Sequence, residues 1–234
     1  MTKNALCSWS GGKDSCYALI QAITQGFQAA VLLNVLNEEG RISRSHGIPK
    51  AILEAQSRLA QIPIRTVSSS WNDYEKVFTQ TLTELKNQYE LSYAVFGDID
   101  LQPHRDWEEK VCANAGLGAF LPLWQKDRRG LVNQMLDLGI ETIIVSCNET
   151  MGPEFLGRKL TPELVEKLDS MGIDPCGENG EFHTLVLDCP LFSGPLNVDL
   201  GKKILHEKYW FFLIPSTQSL IPCIITHDSL ARKV

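Results

Sequence analysis

The sequence has no C-x-x-C pair, no long apolar run and no excess of basic charge. Its seven cysteines (7, 16, 112, 147, 176, 189 and 223) are odd in number and scattered, which excludes a disulfide framework and an ordinary cysteine zinc site. They read as free thiols of a reducing, cytoplasmic compartment. The densest apolar stretch, Tyr209–Ile214, is six residues long, against the roughly 20 that cross a bilayer. The amino terminus also lacks the charged, apolar and cleavage regions of a secretory signal, so no membrane partner is expected. With 22 Lys+Arg against 28 Asp+Glu, the net charge of −6 argues against a broad grip on nucleic acid or anionic lipid. A Walker A loop is absent too. That pattern ends Gly-Lys-Ser/Thr, whereas here Asp14 follows Lys13, and no glycine stands five positions before Gly12.

What is present is the composition of a globular protein, 44% apolar and 21% charged, without repeats or low-complexity tracts. The length of 234 residues suits one substantial core with an appended lobe. Short β-rich runs (Ala5–Trp9, Ala29–Leu36, Pro63–Val67, Tyr93–Phe96 and Ile140–Cys147) alternate with helical patterns. One helix has Cys16, Leu19, Ile20 and Ile23 at helical spacing. Another has Ile48, Ile52, Ala55 and Leu59, with Pro49 in its first turn. A third carries Tyr74, Val77, Phe78, Leu82 and Leu85 after a capping-box-like Asn72 and Glu75. Helices are expected also over Arg105–Ala115, over Asp127–Leu138, and from Thr161-Pro162 with Leu164, Val165, Leu168 and Met171 inside.

Such alternation predicts βαβ units: an open, mostly parallel sheet with helices on both faces. From about Asp174 the pattern changes. Phe182–Leu187 reads as extended and Asn197–Lys203 as a turn. Ile204–Ile214 and Cys223–His227 are strand candidates without helices between them. The expected organisation is an α/β nucleotide-binding domain over residues 1–150 and a smaller mixed lobe over 151–234.

The segment Ser10-Gly11-Gly12-Lys13-Asp14-Ser15 directly follows the first strand and opens the first helix. Its glycines allow positive φ and close main-chain approach. Free N–H groups at a helix start, aided by the helix dipole, favour an anion. Ser10 and Ser15 add hydroxyls and Lys13 a positive charge, so the loop suits a phosphate or pyrophosphate. An aspartate beside phosphates implies a bridging cation, which points to Mg²⁺ at Asp14. The plainer role of Asp14 is to stabilise the helix start by about 0.3–1 kcal/mol.

Ser10–Ser15 resembles the S-G-G-x-D-S signature of the PP-loop ATP pyrophosphatases, whose fold is Rossmann-like. Two later blocks are similar to the diphthine–ammonia ligase family. The first runs Gly97-Asp98-Ile99, His104-Arg105, Trp107, Glu109, Val111-Cys112, Gly116-Leu117 and Pro122-Leu123-Trp124. The second is Gly177-Glu178-Asn179-Gly180-Glu181-Phe182-His183-Thr184 with Leu187-Asp188. Pro103-His104-Arg105 and Trp107 depart from the eukaryotic and archaeal pattern and look more like the family's bacterial branch. Bacteria lack diphthamide, so the acceptor stays open.

The resemblance implies an AMP-forming ligase. A carboxylate attacks the α-phosphate of ATP, pyrophosphate leaves, and ammonia displaces AMP to give an amide. Its partners would be ATP, ammonia and a carboxylate on a small molecule or a protein side chain, with Mg²⁺ as cofactor; a homodimer is left open. Ser10, Gly11, Gly12, Lys13 and Ser15 would hold phosphates, Gly97 would admit the nucleotide, and Arg105 would clamp an anion. Asp98, Glu178 and Glu181 would bind metal, orient the acceptor or take a proton from ammonium.

Each role has a plainer counterpart. Asp98 can cap a turn, and Arg105 can pair with Glu109 one helical turn on. Glu178 and Glu181 can be solvated loop charges. His183 can be a base near neutral pH. His46, His206 and His227 read as surface or packing residues, Cys176 as structural, and Trp107, Val111 and Cys112 as inward-facing. About 60 residues after Asp174 are too few for a glutaminase domain, so free ammonia is the expected nitrogen source. Two other classes compete: a tRNA-modifying enzyme, which needs a basic footprint or a cysteine pair, and a nucleotide sensor without turnover.

Overall fold

A computed structural model describes residues 3–44 and 46–215. Five strands form a parallel sheet in the order β3-β2-β1-β4-β5: β1 (Lys3–Ser8), β2 (Phe27–Leu36), β3 (Ile64–Ser68), β4 (Tyr93–Val95) and β5 (Gly118–Phe120). Between them run α1 (Lys13–Thr24), α2 (Lys50–Ala60), α3 (Tyr74–Tyr89) and α4 (Gln102–Ala115).

Strand side chains alternate between two faces, and each face has its own cover. Leu6, Val31, Leu33, Ala94 and Phe96 are buried with Phe78 and Leu82 of α3 and with Val111 and Cys112 of α4. Ala5, Cys7, Leu32, Leu36 and Val95 are buried with Cys16 and Leu19 of α1 and with Ile52 and Leu53 of α2. At about 1.5–3 kcal/mol for each large apolar side chain buried, both faces contribute strongly. This is the doubly covered α/β sheet that the alternation predicts, and Trp107 joins the α3–α4 core beside Tyr74 and Phe78.

The second sheet is antiparallel, in the order β7-β6-β9-β8: β6 (Glu141–Asn148), β7 (Phe182–Asp188), β8 (Lys202–His206) and β9 (Tyr209–Leu213). Helices α5 (Arg128–Asp137) and α6 (Pro162–Ser170) accompany it, and its buried residues continue the core around α1 without a break. Thr161 caps α6 by accepting a hydrogen bond from the Leu164 N–H, and Asp127 caps α5 by accepting one from Gly130.

Several sequence expectations are corrected here. Ile140–Cys147 was expected in the parallel sheet, but β6 pairs with β7 and β9 instead. A continuous buried apolar run reads the same in either kind of sheet, and only its partners decide. The expected boundary at residue 150 therefore falls just beyond the first strand of the second sheet.

Ile204–Ile214 is not one strand but a hairpin, which turns at Glu207 with φ 53°. Residues Lys202 and Lys203 belong to its first strand rather than to a turn. β5 has three residues, too few for a periodicity to show. Helix α3 starts after Asp73, with no side-chain cap from Asn72, and Met171 lies exposed past the end of α6. Cys223–His227 lies outside the described residues. Among those residues, no helix is long and apolar enough to cross a membrane.

Candidate active site

β1 delivers the phosphate loop to the carboxyl end of the parallel sheet. Trp9 holds the exit: its N–H donates to the Leu33 carbonyl (2.8 Å) and its indole Nε1 to Gln56 Oε1 (2.9 Å). The Gln56 amide then donates to the carbonyls of Gly11 (3.0 Å) and Val186 (2.8 Å). One buried glutamine thus ties α2, the loop and β7 together. Gly11 sits at φ +85°, a backbone conformation that costs other residues strain. At Gly97 a Cβ would lie 2.8 Å from the Asp14 carbonyl carbon and the Ser15 nitrogen, so the end of β4 presses on the first turn of α1.

Within the loop, the Ser10 and Ser15 hydroxyls meet at 3.0 Å, and Ser15 Oγ donates to the Gly12 carbonyl (3.1 Å). Two of the N–H groups expected to be free for an anion are taken. Gly12 donates to Ser10 Oγ (3.2 Å) and Lys13 to Thr184 Oγ1 of β7 (3.0 Å). The Lys13 side chain is 3% exposed. Its ammonium donates to both Asp14 oxygens (3.0 and 2.8 Å) and to the Cys176 carbonyl. Burial lowers the Lys13 pKa most, but the Asp14 charge and hydrogen bond, with the Cys176 and Glu178 charges, together outweigh it and hold the ammonium above its ordinary value. Asp14 is itself raised, chiefly by burial, with the Asp98 charge adding and Lys13 opposing.

Three further carboxyl groups gather here. Asp98, just after β4, bonds His104 Nδ1 at 2.7 Å and shares a hydrogen bond with Glu108 of α4. Glu108 is 3% exposed; burial and then the Asp98 charge push its carboxyl to about 11. It is therefore a neutral acid at pH 7, able to donate to Asp98. Burial would raise Asp98, but His104 and Glu108 together hold it below the usual carboxylate range, and Asp98 raises His104 in return.

Glu178 arrives from the second lobe and accepts a hydrogen bond from the Ile99 N–H (3.0 Å). Burial pushes it to about 7; the Ile99 bond opposes, and the Asp14 and Asp98 charges add. Its turn is held by Asp174, which accepts from the N–H groups of Cys176 (2.9 Å) and Glu178 (3.0 Å). Arg128 in turn binds Asp174 (2.5 Å), Asp100 (2.8 and 2.5 Å) and Asn179 (3.2 Å).

The structure thus brings together Ser10–Ser15, Gly97, Asp98 and Glu178, and places two other residues elsewhere. Arg105 bonds Glu109 (2.7 Å) and lies over the Trp124 ring (5.0 Å). Glu181 holds its own turn, accepting from the Asn179 main chain (3.1 Å) and amide (3.2 Å). The Cys176 thiol donates to the Arg128 carbonyl (3.0 Å), and burial pushes it to about 12, which suits its structural reading.

Sequence reasoning passed over Glu108, Gln56, Arg128 and Asp174. Only Asp174, a turn-former ahead of the Gly177–Gly180 segment, carried a local signal. It also understated His46, which lies so close to Gly12 that a Cβ there would sit 2.9 Å from its Nε2. The His46 ring lies tilted against that of His183, with centroids 4.4 Å apart. Burial lowers both imidazoles, His183 to about 4, so His183 is not poised as a base near neutral pH. An open cavity of about 360 Å³ lies beyond β2 and β3, lined by Glu38, Ser68, Asp73 and Lys76; no phosphate-loop residue reaches it.

A glycine loop at the central strand of an open parallel sheet, where the strand order reverses, is where such folds bind ligands. With its Ser-Gly-Gly-Lys-Asp-Ser sequence, the chain is a PP-loop nucleotide-binding α/β protein. The family models described as diphthamide synthase N-terminal domain and diphthamide synthase C-terminal domain match residues 2–119 and 127–220. The chain belongs to the diphthamide synthase family.

Among its relatives is the human diphthine–ammonia ligase, 29% identical over 85% of this chain and 84% of its own length. That of Schizosaccharomyces pombe is 31% identical over 79% of this chain and 34% of its own. A solved structure described as a predicted subunit of tRNA methyltransferase from Methanocaldococcus jannaschii aligns with a TM-score of 0.43 and 16% identity. It covers 80% of this chain and 98% of its own, a likeness that says nothing of function.

Proposed function

We propose that this protein is an ATP-dependent, AMP-forming ligase that adenylates a carboxylate and amidates it with ammonia. The observation that carries the reading is the meeting of the phosphate loop with Asp14, Asp98 and Glu178 across the two sheets. A carboxylate oxygen attacks the α-phosphorus, and the bond to the β-phosphate oxygen breaks, releasing pyrophosphate. Ammonia then attacks the acyl carbon, AMP leaves, and one proton must be removed from the nitrogen. Glu178, with a carboxyl near 7, is matched to that proton.

Ser10, Gly11, Gly12 and Ser15 seat the phosphates, and the Lys13 ammonium offsets the charge that develops on them. Binding ATP in this way requires the Lys13 and Gly12 contacts to loosen. The parallel-sheet portion takes the nucleotide, and the lobe from β6 onward faces the acceptor. Buried free thiols among the described cysteines suit a cytoplasmic protein.

Mg²⁺ fits the donors present. Among the described residues no three His, Cys, Asp or Glu side chains converge into a protein-only cage. Magnesium at nucleotide sites is commonly held by one or two carboxylates together with phosphate oxygens. Asp14 is that carboxylate, with its charge crowded by Asp98. When bound, the ion neutralises phosphate charge.

The test is incubation with ATP, Mg²⁺, ammonium and candidate carboxylates, a diphthine peptide among them. Pyrophosphate and AMP are expected; ADP and orthophosphate would overturn the reading.

A further inference from the structure

The segment between β2 and α2 carries a charged group that the ligase reading does not use. The Arg44 N–H donates to the Val35 carbonyl (3.2 Å), which fixes its backbone over the carboxyl end of β2. Two residues on, His46 rests against Gly12 of the phosphate loop. The Arg44 guanidinium lies 4.7 Å from the centroid of the Trp71 ring. Its charge reaches the Tyr74 phenol, which also feels Asp98 and Glu108. Arg44 therefore lies within electrostatic reach of Tyr74, which the Asp98 and Glu108 carboxyl groups of the site also reach.

On this guanidinium, Nε and Nη2 are both shielded from solvent, and neither has a hydrogen-bond partner among the described residues. A buried, unpaired donor is costly, and a charged one more so. These two N–H groups share one edge and point the same way, the geometry that receives both oxygens of a carboxylate. The protein itself shows the fit: Arg128 grips Asp100 through the same two atoms, Nε at 2.8 Å and Nη2 at 2.5 Å.

We infer that Arg44 receives the acceptor's carboxylate through its Nε/Nη2 edge, at the mouth of the site beside the phosphate loop. The inference rests on the ligase reading and deepens it by naming the group that holds the molecule to be adenylated. Each carboxylate oxygen keeps a second lone pair when held this way, so one oxygen is still able to attack phosphorus. The Trp71 ring lies against this guanidinium. It is 67% exposed, and its ring partners are Arg44 and, at 5.8 Å, Tyr74.

NMR of arginine Nε–H groups in the full chain reads this edge directly. Arg44→Lys assigns the signal by its loss; should that variant not fold, the ring-current displacement in Trp71→Phe assigns it instead. Titration with sodium acetate, against sodium chloride at matched ionic strength, is expected to move the Arg44 signal saturably. The Arg128 signal, already paired with Asp100, should stay in place. Inorganic phosphate is expected to act more weakly than acetate.

A stronger response to phosphate would assign the edge to the nucleotide and overturn the inference. So would the absence of a saturable acetate shift, or equal movement of both arginines. By calorimetry Arg44→Lys should bind ATP within about threefold of the parent, and a loss beyond about tenfold would again mark a nucleotide contact. The acetate readout needs no turnover, so a failure of pyrophosphate release would sink the ligase reading independently.

Discussion

The parallel and antiparallel sheets meet at Lys13, and they bring different things to it. The first sheet supplies the main-chain cradle, with the turn at Gly11, the close approach at Gly97 and the start of α1, and the side chains of Lys13, Asp14 and Asp98. The second supplies cover and one further carboxyl group: Thr184 on the Lys13 N–H, the Cys176 carbonyl on its ammonium, and Glu178 opposite Asp14. A cradle of main chain tolerates little change in shape, whereas a turn carrying a carboxylate tolerates little change in charge. Neither half is complete alone, because the Ile99–Glu178 bond joins residues 79 positions apart.

The sharpest way to break this comparison is Asp14→Ala. It should lower pyrophosphate release by about a thousandfold, since it removes charge from the centre of the cradle. Activity within about tenfold of the parent would show that the cradle works through main chain alone.

Glu178→Gln should cost about 10²–10⁴ in turnover and flatten the pH profile, which in the parent should climb through about pH 7 as Glu178 loses its proton. The stability effect has the opposite sign. The folded carboxyl sits at about 7 and the unfolded one near 4.5. Between those values the native state binds more protons, so the Glu178 contribution to stability falls as pH rises through that window. The Gln variant should therefore melt higher than the parent at pH 8, as calorimetry would show.

Gly97→Ala tests shape alone. The added Cβ meets the α1 backbone at 2.8 Å, so a loss of about 1–3 kcal/mol is expected in urea unfolding. Thr184→Val removes the acceptor of the Lys13 N–H across the two sheets, at about 1 kcal/mol. An unchanged midpoint would mean that the sheets are not joined there.

The smallest effect is expected for Arg105→Gln. Its ion pair with Glu109 is half-exposed and worth at most about 0.5 kcal/mol, and turnover should barely change. A hundredfold loss would instead place Arg105 on the substrate.

The parallel sheet was largely legible because each βα unit announces itself over a dozen residues. Cys16, Leu19 and Ile20 mark one face of α1, and Ala5–Trp9 runs directly into the Ser10–Ser15 loop. The second sheet was legible only in pieces. β6 has an unmistakable strand sequence, yet nothing within it specifies β7 rather than β4 as a neighbour. In the site, Asp14 and Glu178 stood out because each lies in a glycine-marked loop. Glu108 did not, since a glutamate inside a polar helix reads as solvated until the fold buries it against Asp98.

The order of residues alone determined the phosphate loop and the helices that follow each strand, both properties of neighbouring positions. Tertiary structure decided which sheet received β6, that Lys13 is sealed between two lobes, that Glu178 faces Asp14, and that one edge of Arg44 has no partner among the described residues. Burial and long-range pairing set the charge states and hydrogen bonds of these groups. Both depend on residues far apart in the chain, and no local periodicity records them.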